Sequence, residues 1–445
     1  MGLKYIETVK SVILVFLIIL SITLTFSIWT YTPKYKTIEQ TPTIPTSIVD
    51  EDKKEIKGIQ DIIKPYKLLF NFEEGMKGTT DSDALDESIE AMKEWKITEV
   101  TLEDSEFTEK DLDVFLRKKN RFTLYYHGEV PLPVYDVVLN KEDSNFPEAS
   151  FDRLVVDWNP ASTAMEIHFI SRMNGLRYTG KINEYQSFNR KVLPNGRSYS
   201  DYVEVDADKS PFIAVPKNPV ELIRNTFYQA EISPRRFKDA LFRDPNAVRR
   251  GQISSSREEY QDDHAIMRIE TMMKTLSFFH PVAESTELAI PSELLFNTID
   301  FVNEHGGWTD EYRYTFMNPK SRNVKFQLFI HGLPVYSDTT YTEIEEIWGD
   351  DGIYGYIRPY YTLNLTFPSE TRYTSLPSGV EVAETLKSST EIDFNTVEEI
   401  EMGYYMKHDT DQRLFLLDPS WFYFANGKWN LYSPDALGGD KIGLE

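Results

Sequence analysis

An uninterrupted apolar run near the start of the sequence constrains this chain more than any other feature. The nineteen residues from Ser11 to Trp29 include no charged side chain. As a helix they would extend roughly 28 Å, which is close to the thickness of the hydrocarbon core of a bilayer. The apolar part of a secretory signal peptide is shorter and ends at a small-x-small cleavage site, which is not found here. We therefore expect an uncleaved transmembrane anchor, flanked by the boundary aromatics Trp29 and Tyr31, within residues 1–36.

The lysines on either side of this run do not decide its orientation. Lys4 and Lys10 precede it and Lys34 and Lys36 follow it, so the positive-inside rule gives no preference. These four Lys and one Glu give the first 36 residues a net charge of +3, and because the whole chain carries −23, the remainder carries −26. An acidic body of this kind is repelled by nucleic acid, so we expect no nucleic-acid partner.

Several classes of chemistry are excluded or unsupported by the residue content. The chain contains no cysteine, which rules out thiol catalysis, disulfides and Cys-based zinc sites. Its seven histidines show no His-x-x-x-His or His-Glu-x-x-His spacing, and it has no phosphate-loop motif. His305-Gly306-Gly307-Trp308 is similar to the oxyanion segment of esterases, but the Gly-x-Ser-x-Gly elbow is missing, so we interpret it as a helix end. We predict no enzyme activity, catalytic residue, cofactor or metal site.

The rest of the chain is long enough for more than one domain. Residues 37–58 are rich in Thr, Pro and charge without an apolar period, which indicates an extended linker. The remaining residues exceed the usual size of a single domain. We predict an N-terminal ectodomain (59–139), a central domain (140–281) and a C-terminal domain (282–445).

In the first of these blocks, strand-like and helical patterns alternate. Tyr66–Phe72, Ile97–Leu102 and Arg121–His127 are typical of strands. Helix-capping patterns begin at Asp83 and at Thr108. We expect a small β-α-β-α-β layer that ends at Pro131 and Pro133.

The other two blocks combine helices with hairpins. Helical spacing is found in Asn218–Gln229, Ser233–Phe242 and Ser292–Glu304, and hairpin turns are predicted at Asn174-Gly175 and Asn426-Gly427. The predicted fold class is α+β. It consists of one N-terminal transmembrane helix followed by a multi-domain ectodomain of antiparallel sheets with packed helices.

The anchor itself contains a candidate interaction site. Ser21 and Thr25 are four residues apart, as are Thr23 and Ser27, so their hydroxyls would line adjacent stripes of a helix. Small hydroxyl residues allow a second transmembrane helix to approach closely and can form hydrogen bonds with it. The alternative is that each hydroxyl bonds its own i−4 carbonyl and faces lipid. We predict partner binding through these four residues.

Aromatic residues are concentrated in two late segments. Because aromatics pack well on sheets, most of them are expected in the core, while protein interfaces and carbohydrate or peptide binding remain open. The residues concerned are Tyr354, Tyr356, Tyr360, Tyr361, Trp421, Tyr423 and Trp429.

Five segments, taken in their order along the chain, resemble the YycH family, the accessory proteins of the WalK/WalR cell-wall two-component system in Gram-positive bacteria. This resemblance implies an extracytoplasmic protein held in the cell membrane by a single span, with its N-terminus in the cytoplasm. It also implies that the chain works with a YycI-type accessory protein on a WalK-type sensor histidine kinase, partly through the transmembrane helix. The segments are Ser11–Tyr31, Ile63–Leu68, Gly128–Pro133, Phe301–Phe316 and Leu417–Phe424.

Two functions of different classes are therefore compared. The first is a membrane-anchored regulator that acts by binding. The second is an extracytoplasmic module that binds a cell-wall polymer, or a wall-active hydrolase. A cleft with two converging acids of strongly raised pKa would favour the hydrolase, and a continuous aromatic groove would favour polymer binding. A closed surface without either feature would favour the regulator.

Overall fold

The computed structural model divides the chain into two units, residues 1–36 and residues 37–445. In the first unit, Leu14, Leu17, Leu20 and Ser21 are described; they are helical and their side chains are exposed. The rest of the predicted anchor lies outside the described residues. Within the part of the chain that is described, no helix is both long enough and apolar enough to span a bilayer. The described residues are 14, 17, 20, 21, 47–50, 54–139, 146–158, 165–183, 185–206, 211–281, 285, 287–350, 352–363, 366 and 372–433.

A sheet of nine strands forms the first half of the second unit. Its order is β3-β7-β6-β5-β4-β1-β2-β8-β9, and all neighbouring strands are antiparallel. The hairpin between β6 and β7 turns at Gly175, which has a φ of 63°, so the turn predicted at Asn174-Gly175 is confirmed. The strands are β1 (Lys67–Asn71), β2 (Met76–Thr79), β3 (Lys96–Asp104), β4 (Arg121–Pro131), β5 (Ser150–Trp158), β6 (Met165–Ser171), β7 (Leu176–Asn183), β8 (Ser200–Glu204) and β9 (Ala214–Pro216).

Helices cover both faces of this sheet, which explains why β1 is buried along its whole length. Leu68 and Phe70 pack with the helix α2, whereas Leu69 packs with the helix α3 on the other face. Five α-helices belong to this part of the described chain: α1 (Ile59–Ile62), α2 (Ser82–Lys93), α3 (Glu109–Arg117), α4 (Leu132–Val138) and α5 (Leu193–Ser198).

The helix N-caps predicted from the sequence were largely correct. Thr108 and Asp111 form the predicted capping box at the start of α3. The predicted cap of α2 was wrong by two residues, because Asp81 accepts the amide of Ala84 and Asp83 lies in the first helical turn. The α4 helix was not predicted, since Pro133 was interpreted as ending the strand. Proline in a first turn is tolerated because the missing N–H has no intrahelical partner there.

A second sheet of fourteen described strands forms the other half. Its path is β12-β13-β14-β15-β20-β19-β17-β18-β23-β24-β10-β22, while β16 pairs with β17 and β25 with β24. The β18–β23 pair is parallel, which departs from the predicted antiparallel sheets. The strands are β10 (Val220–Tyr228), β11 (Ala230–Glu231), β12 (Arg249–Ser254), β13 (Arg257–Gln261), β14 (Ile266–Glu270), β15 (Thr275–Phe279), β16 (Tyr312–Asn318), β17 (Asn323–Ile330), β18 (Leu333–Tyr336), β19 (Glu343–Trp348), β20 (Ile353–Pro359), β21 (Tyr361–Thr362), β22 (Arg372–Leu376), β23 (Val397–Asp409), β24 (Leu414–Ala425) and β25 (Lys428–Leu431), with β11 and β21 forming a separate pair.

The helix predicted for Asn218–Gln229 is wrong, because this segment contains the strand β10. Val220, Ile223 and Phe227 fall on helical spacing, so the local pattern is ambiguous. Pairing decides in favour of a strand: β10 is hydrogen-bonded to β22 on one side and β24 on the other. Tertiary contacts therefore override the local pattern.

Three helices accompany the second sheet: α6 (Pro234–Leu241), α7 (Pro291–Glu304) and α8 (Gly379–Ser388). The first two confirm the helices predicted in Ser233–Phe242 and Ser292–Glu304. Gly306, with a φ of 66°, follows the end of α7. His305 is fully buried there, with Nδ1 2.6 Å from the carbonyl oxygen of Phe301 and Nε2 2.9 Å from the hydroxyl of Tyr356. The His-Gly-Gly segment is thus a helix end, as predicted.

The protein has an α+β fold dominated by its sheets. Strand pairing crosses the predicted boundary between residues 139 and 140, because β4 pairs with β5. It also crosses the boundary between residues 281 and 282, because β15 pairs with β20. The division into three ectodomain segments stays a prediction.

Candidate functional site

The two sheets meet through a group of buried and half-buried polar side chains, which we call the junction cluster. The first sheet contributes Tyr66, which directly precedes β1, with Lys67 and His127, and the second contributes Tyr336, Glu399 and Glu401. The Lys67 ammonium lies 3.2 Å from Oε1 of Glu399, and the Tyr66 hydroxyl donates to the same oxygen. Glu399 and Glu401 lie two residues apart on β23, so both side chains face the same side of the strand. The cluster connects the first strand of one sheet to a long hairpin of the other.

Strand register explains why a lysine occupies a buried strand. Lys67 pairs with Tyr125 on β4, and Tyr125 pairs with Arg153 on β5. The three side chains form a row in which Lys67 Nζ lies 4.4 Å and Arg153 Cζ 4.6 Å from the centre of the Tyr125 ring. Both cations gain from the electron-rich face of the ring. Glu399 then approaches this row from the second sheet, with an oxygen 3.7 Å from Arg153.

A second contact lies beside the first. His127 Nε2 is 3.0 Å from Oε2 of Glu401, and the Tyr336 hydroxyl donates to Oε1 of the same carboxyl group at 2.9 Å. The His127 ring stacks on Tyr66, with centroids 4.0 Å apart, and its edge meets the ring of Trp429. Side chains from the five strands β1, β4, β18, β23 and β25 therefore pack around two carboxyl groups.

Burial shifts the protonation equilibria of this cluster. Burial, assisted by the charge of Arg153, lowers the pKa of Lys67 to about 7. Burial and the neighbouring Glu401 raise the pKa of Glu399 well above its usual range. Burial therefore disfavours the charged form of each partner in the Lys67–Glu399 contact, and the charge of Lys67 depends on pH near neutrality.

Next to the cluster, an open cleft with a volume of about 320 Å³ lies between the two sheets. We call it the junction cleft. A bulge in β4 forms one of its walls. Tyr125 pairs with Arg153 and Val130 pairs with Phe151, so residues 126–129 lie opposite a single residue of β5. Bulges of this kind redirect side chains, and here the bulge places Glu129 in the cleft lining.

Two acids meet in the cleft. Glu129 Oε1 accepts the Ser171 hydroxyl at 2.9 Å, whereas Oε2 makes no hydrogen bond within the described residues. Burial and the nearby Asp152 raise the pKa of Glu129 to about 8. Burial alone would raise the pKa of Asp152, but Arg172 and Arg153 outweigh it and hold that pKa below its usual value. A hydrolase was expected to have two acids with raised pKa values, and of these two only Glu129 has a raised pKa.

A second cleft, which we call the aromatic cleft, has a volume of about 330 Å³ and opens on the second sheet. The Tyr336 ring lies 4.6 Å from Phe422 and 5.8 Å from Trp429. The Thr340 hydroxyl lines the same cleft, is almost fully buried and makes no hydrogen bond within the described residues. The surface is therefore not closed, and several aromatic side chains line this cleft.

Of the late aromatics singled out in the sequence, Tyr356, Tyr360, Tyr361 and Trp421 belong to the core as predicted. Trp429 lines the aromatic cleft instead. Among the described residues, no group of three His, Asp or Glu side chains is arranged to hold a metal ion.

The predicted partner-binding residues are only partly described. Ser21 is helical with an exposed side chain, and Thr23, Thr25 and Ser27 lie outside the described residues. The junction cluster was not predicted from the sequence. The available signal was a lysine at the start of a strand whose next three residues are apolar, because lysine is almost never buried without a partner.

Two family models match the chain. The model "YycH protein, N-terminal domain" matches residues 7–180, and the model "YycH protein, C-terminal domain" matches residues 210–436. The second alone covers more than half of the sequence. The chain belongs to the YycH family. The resemblance stated from the sequence is thereby confirmed.

Known relatives agree with this assignment. The chain is 21% identical over 436 residues to the two-component system WalR/WalK regulatory protein YycH of Bacillus subtilis (strain 168), with 95% of each chain covered. The crystal structure of YycH from Bacillus subtilis is similar, with a TM-score of 0.70 and 18% identity, covering 86% of this chain and 99% of that chain. The structural similarity concerns the fold. The name of the curated relative is that of a regulatory protein, which confirms the prediction that the chain is not an enzyme.

Proposed function

We propose that this chain regulates a two-component system of the WalK/WalR type by binding rather than by catalysis. Membership of the YycH family is the observation that carries the proposal, since the curated relative is named as a WalR/WalK regulatory protein. The junction cluster agrees with a binding role, because its carboxyl groups are paired inside the protein and little of them faces solvent.

The proposed mechanism is a shift in the population of kinase states. A regulator that contacts one state of a sensor kinase better than the other biases the signalling equilibrium by the difference in contact free energy. A difference of about 1–3 kcal/mol changes the ratio of the two states roughly 5- to 150-fold. No reaction needs to occur on the regulator.

The proposed arrangement is a single N-terminal span with the N-terminus in the cytoplasm and the body outside the cell, controlling cell-wall metabolism. In this arrangement Ser21, Thr23, Thr25 and Ser27 contact another membrane helix, and a YycI-type protein completes the assembly. The charge-free run from Ser11 to Trp29 supports the span.

A photo-crosslinking experiment in cells tests this proposal. A photoreactive residue is placed at position 24 of the full-length chain, beside the four hydroxyl residues, and captured membrane proteins are identified together with the output of a WalR-dependent reporter. Capture of the sensor kinase or a YycI-type protein is expected. A variant with all four hydroxyl residues changed to Leu should lose capture, while Ile18→Leu and Ile19→Leu should keep it. An unchanged reporter in a strain that lacks the protein would contradict the regulatory role.

The aromatic cleft favours a second candidate, binding of a cell-wall polysaccharide. Aromatic rings stack on the faces of sugar rings, and the rings of Tyr336 and Trp429 line this cleft. Calorimetric titration with the N-acetylglucosamine tetramer tests this function. Saturable binding that Trp429→Ala abolishes and Tyr228→Ala preserves is expected for a polymer-binding module.

A further inference from the structure

The junction cleft contains a polar atom whose hydrogen-bonding capacity is unused. Glu129 is about nine-tenths buried, and its Oε1 atom is occupied by Ser171 and by the amide of Met173 at 3.4 Å. Its Oε2 atom makes no hydrogen bond within the described residues and its side chain lines the cleft. A buried oxygen without a donor is costly, so a ligand that supplies an N–H group would be favoured at this position.

The charge of the cleft selects the kind of donor. Besides Glu129, the lining includes the acids Glu109, Asp152 and Glu398. It also includes one guanidinium group, that of Arg172. Arg172 already donates to Asp152, with Nε 2.5 Å from Oδ2, and Arg153, outside the lining, donates to the same oxygen at 3.1 Å. The site therefore keeps a net negative charge, and it lies on a body that is itself strongly acidic. An anionic ligand is disfavoured and a cationic one favoured.

Exposed apolar side chains border the acidic residues of the junction cleft. Met173 follows β6 and Phe316 lies on β16 of the other sheet, and they keep 64% and 42% of their surface exposed. Large exposed apolar residues around a polar centre are a mark of protein interfaces, where arginine is also enriched. The cleft is large enough for one long side chain and the groups next to it.

We propose that the junction cleft receives an arginine or lysine side chain of a partner polypeptide, held by the carboxyl group of Glu129 within the acidic lining and flanked by Met173 and Phe316. This inference rests on the proposed function, and it names the chemistry by which a regulator of this kind recognises its partner. Because both sheets contribute to the cleft, an occupant also holds the two sheets in one relative position.

Proton release provides a signature of this binding mode. With a pKa of about 8, Glu129 carries a proton at neutral pH, and an incoming cation pairs best with the ionised form. Affinity should therefore rise with pH. The titratable and charged groups around Glu129 are His127 on β4, Asp152 and Arg153 on β5, Arg172 after β6, Glu109 on α3, Tyr314 on β16 and Glu398 on β23.

The experiment titrates the full-length chain in lipid nanodiscs with acetyl-Leu-Arg-Leu-amide. The matched probe is acetyl-Leu-citrulline-Leu-amide, which keeps the shape but lacks the charge. For the wild type, binding of the arginine peptide should be roughly tenfold tighter at about pH 8.5 than at about pH 6.5. The citrulline peptide should bind much more weakly and without pH dependence.

Three variants complete the test. Glu129→Gln keeps the hydrogen-bonding shape but cannot ionise, so it should lose both the affinity and its pH dependence. Met173→Ala changes only an exposed rim residue and should weaken binding without altering the thermal unfolding temperature. Glu106→Gln, an exposed acid outside the cleft lining, should bind like the wild type.

Equal affinities for the two peptides, or no saturation at millimolar concentrations, would overturn the inference. Retention of tight, pH-dependent binding by Glu129→Gln would overturn it as well. These outcomes are separate from the proposed function, which depends on the reporter in cells. A reporter that responds to loss of the protein while the peptide fails to bind rejects only the assignment of the cleft.

Discussion

Lys67 and Glu399 lie 332 positions apart in the sequence, yet their side chains approach to 3.2 Å and are both almost completely buried. This contact joins the two sheets beside the junction cleft. Polar groups buried at such a contact are costly when unpaired and define its geometry when paired. The stability of the contact between the sheets should therefore depend on this pair.

Loss of the ammonium group should destabilise the protein strongly. In Lys67→Met the buried carboxyl of Glu399 loses a donor, and we expect a loss of about 2–4 kcal/mol in the free energy of unfolding. A urea-denaturation cycle with Lys67→Met, Glu399→Gln and the double variant should show a coupling of about 1–3 kcal/mol. Lys77→Met is the control, because Lys77 pairs with Asp201 at 2.8 Å on the exposed surface and should cost less than about 1 kcal/mol. Equal costs for the two lysines would contradict the prediction.

Glu346 should make the protein less stable as the pH rises. Its side chain is fully buried, neither carboxyl oxygen forms a hydrogen bond within the described residues, and burial raises its pKa well above the usual value. The folded state then binds the proton more tightly than the unfolded state. The resulting stabilisation is complete below about pH 4.5 and is lost above it, by up to about 1.4 kcal/mol per pH unit.

The Glu346→Met variant measures this effect. Urea denaturation at about pH 5 and about pH 8 should show a smaller decrease for the variant than for the wild type, because Met has no proton to lose. Glu345→Met, on the same strand but with its carboxyl 3.6 Å from Lys325, should keep the wild-type pH dependence. Parallel pH profiles for wild type and Glu346→Met would show that the buried acid is not responsible.

Gly128→Ala should separate the two sheets. A Cβ atom at this position would lie 2.8 Å from the carbonyl group of Thr315 in the facing sheet, and overpacking of this kind typically costs about 1–3 kcal/mol. Hydrogen exchange in β16 should accelerate. Gly251→Ala, where no atom lies within 4 Å of the added Cβ, should leave exchange in β16 unchanged.

Gly306→Ala should destabilise the end of α7 for two reasons. Its φ of 66° is unfavourable for a residue with a Cβ atom, and that atom would lie 2.6 Å from the Ser47 hydroxyl. The conformational part alone costs about 1–2 kcal/mol. Gly427→Ala isolates this part, because φ is 74° and the surrounding space is open. A larger loss of thermal stability for Gly306→Ala than for Gly427→Ala is expected, and the reverse order would contradict the contact with Ser47.

Local patterns in the sequence were sufficient for many individual elements. The capping box of Thr108 and Asp111, the turn at Asn174-Gly175 and the helix in Ser292–Glu304 all follow from interactions between residues fewer than about five positions apart. Such interactions depend on side-chain types in a short window, so the sequence reveals them directly. The family was also recognisable from the order of five segments.

The strand conformation of β10 and the composition of the junction cluster depend on tertiary structure. Val220–Tyr228 has apolar spacing that suits a helix as well as a strand, and its hydrogen bonds to β22 and β24 resolve the ambiguity. Nothing near Lys67 in the sequence identifies Glu399 as its partner, and nothing near Glu129 indicates that one of its oxygens has no donor. Charge, burial and unmet hydrogen bonds at a site depend on distant strands brought together by pairing and packing, so only the folded chain defines them.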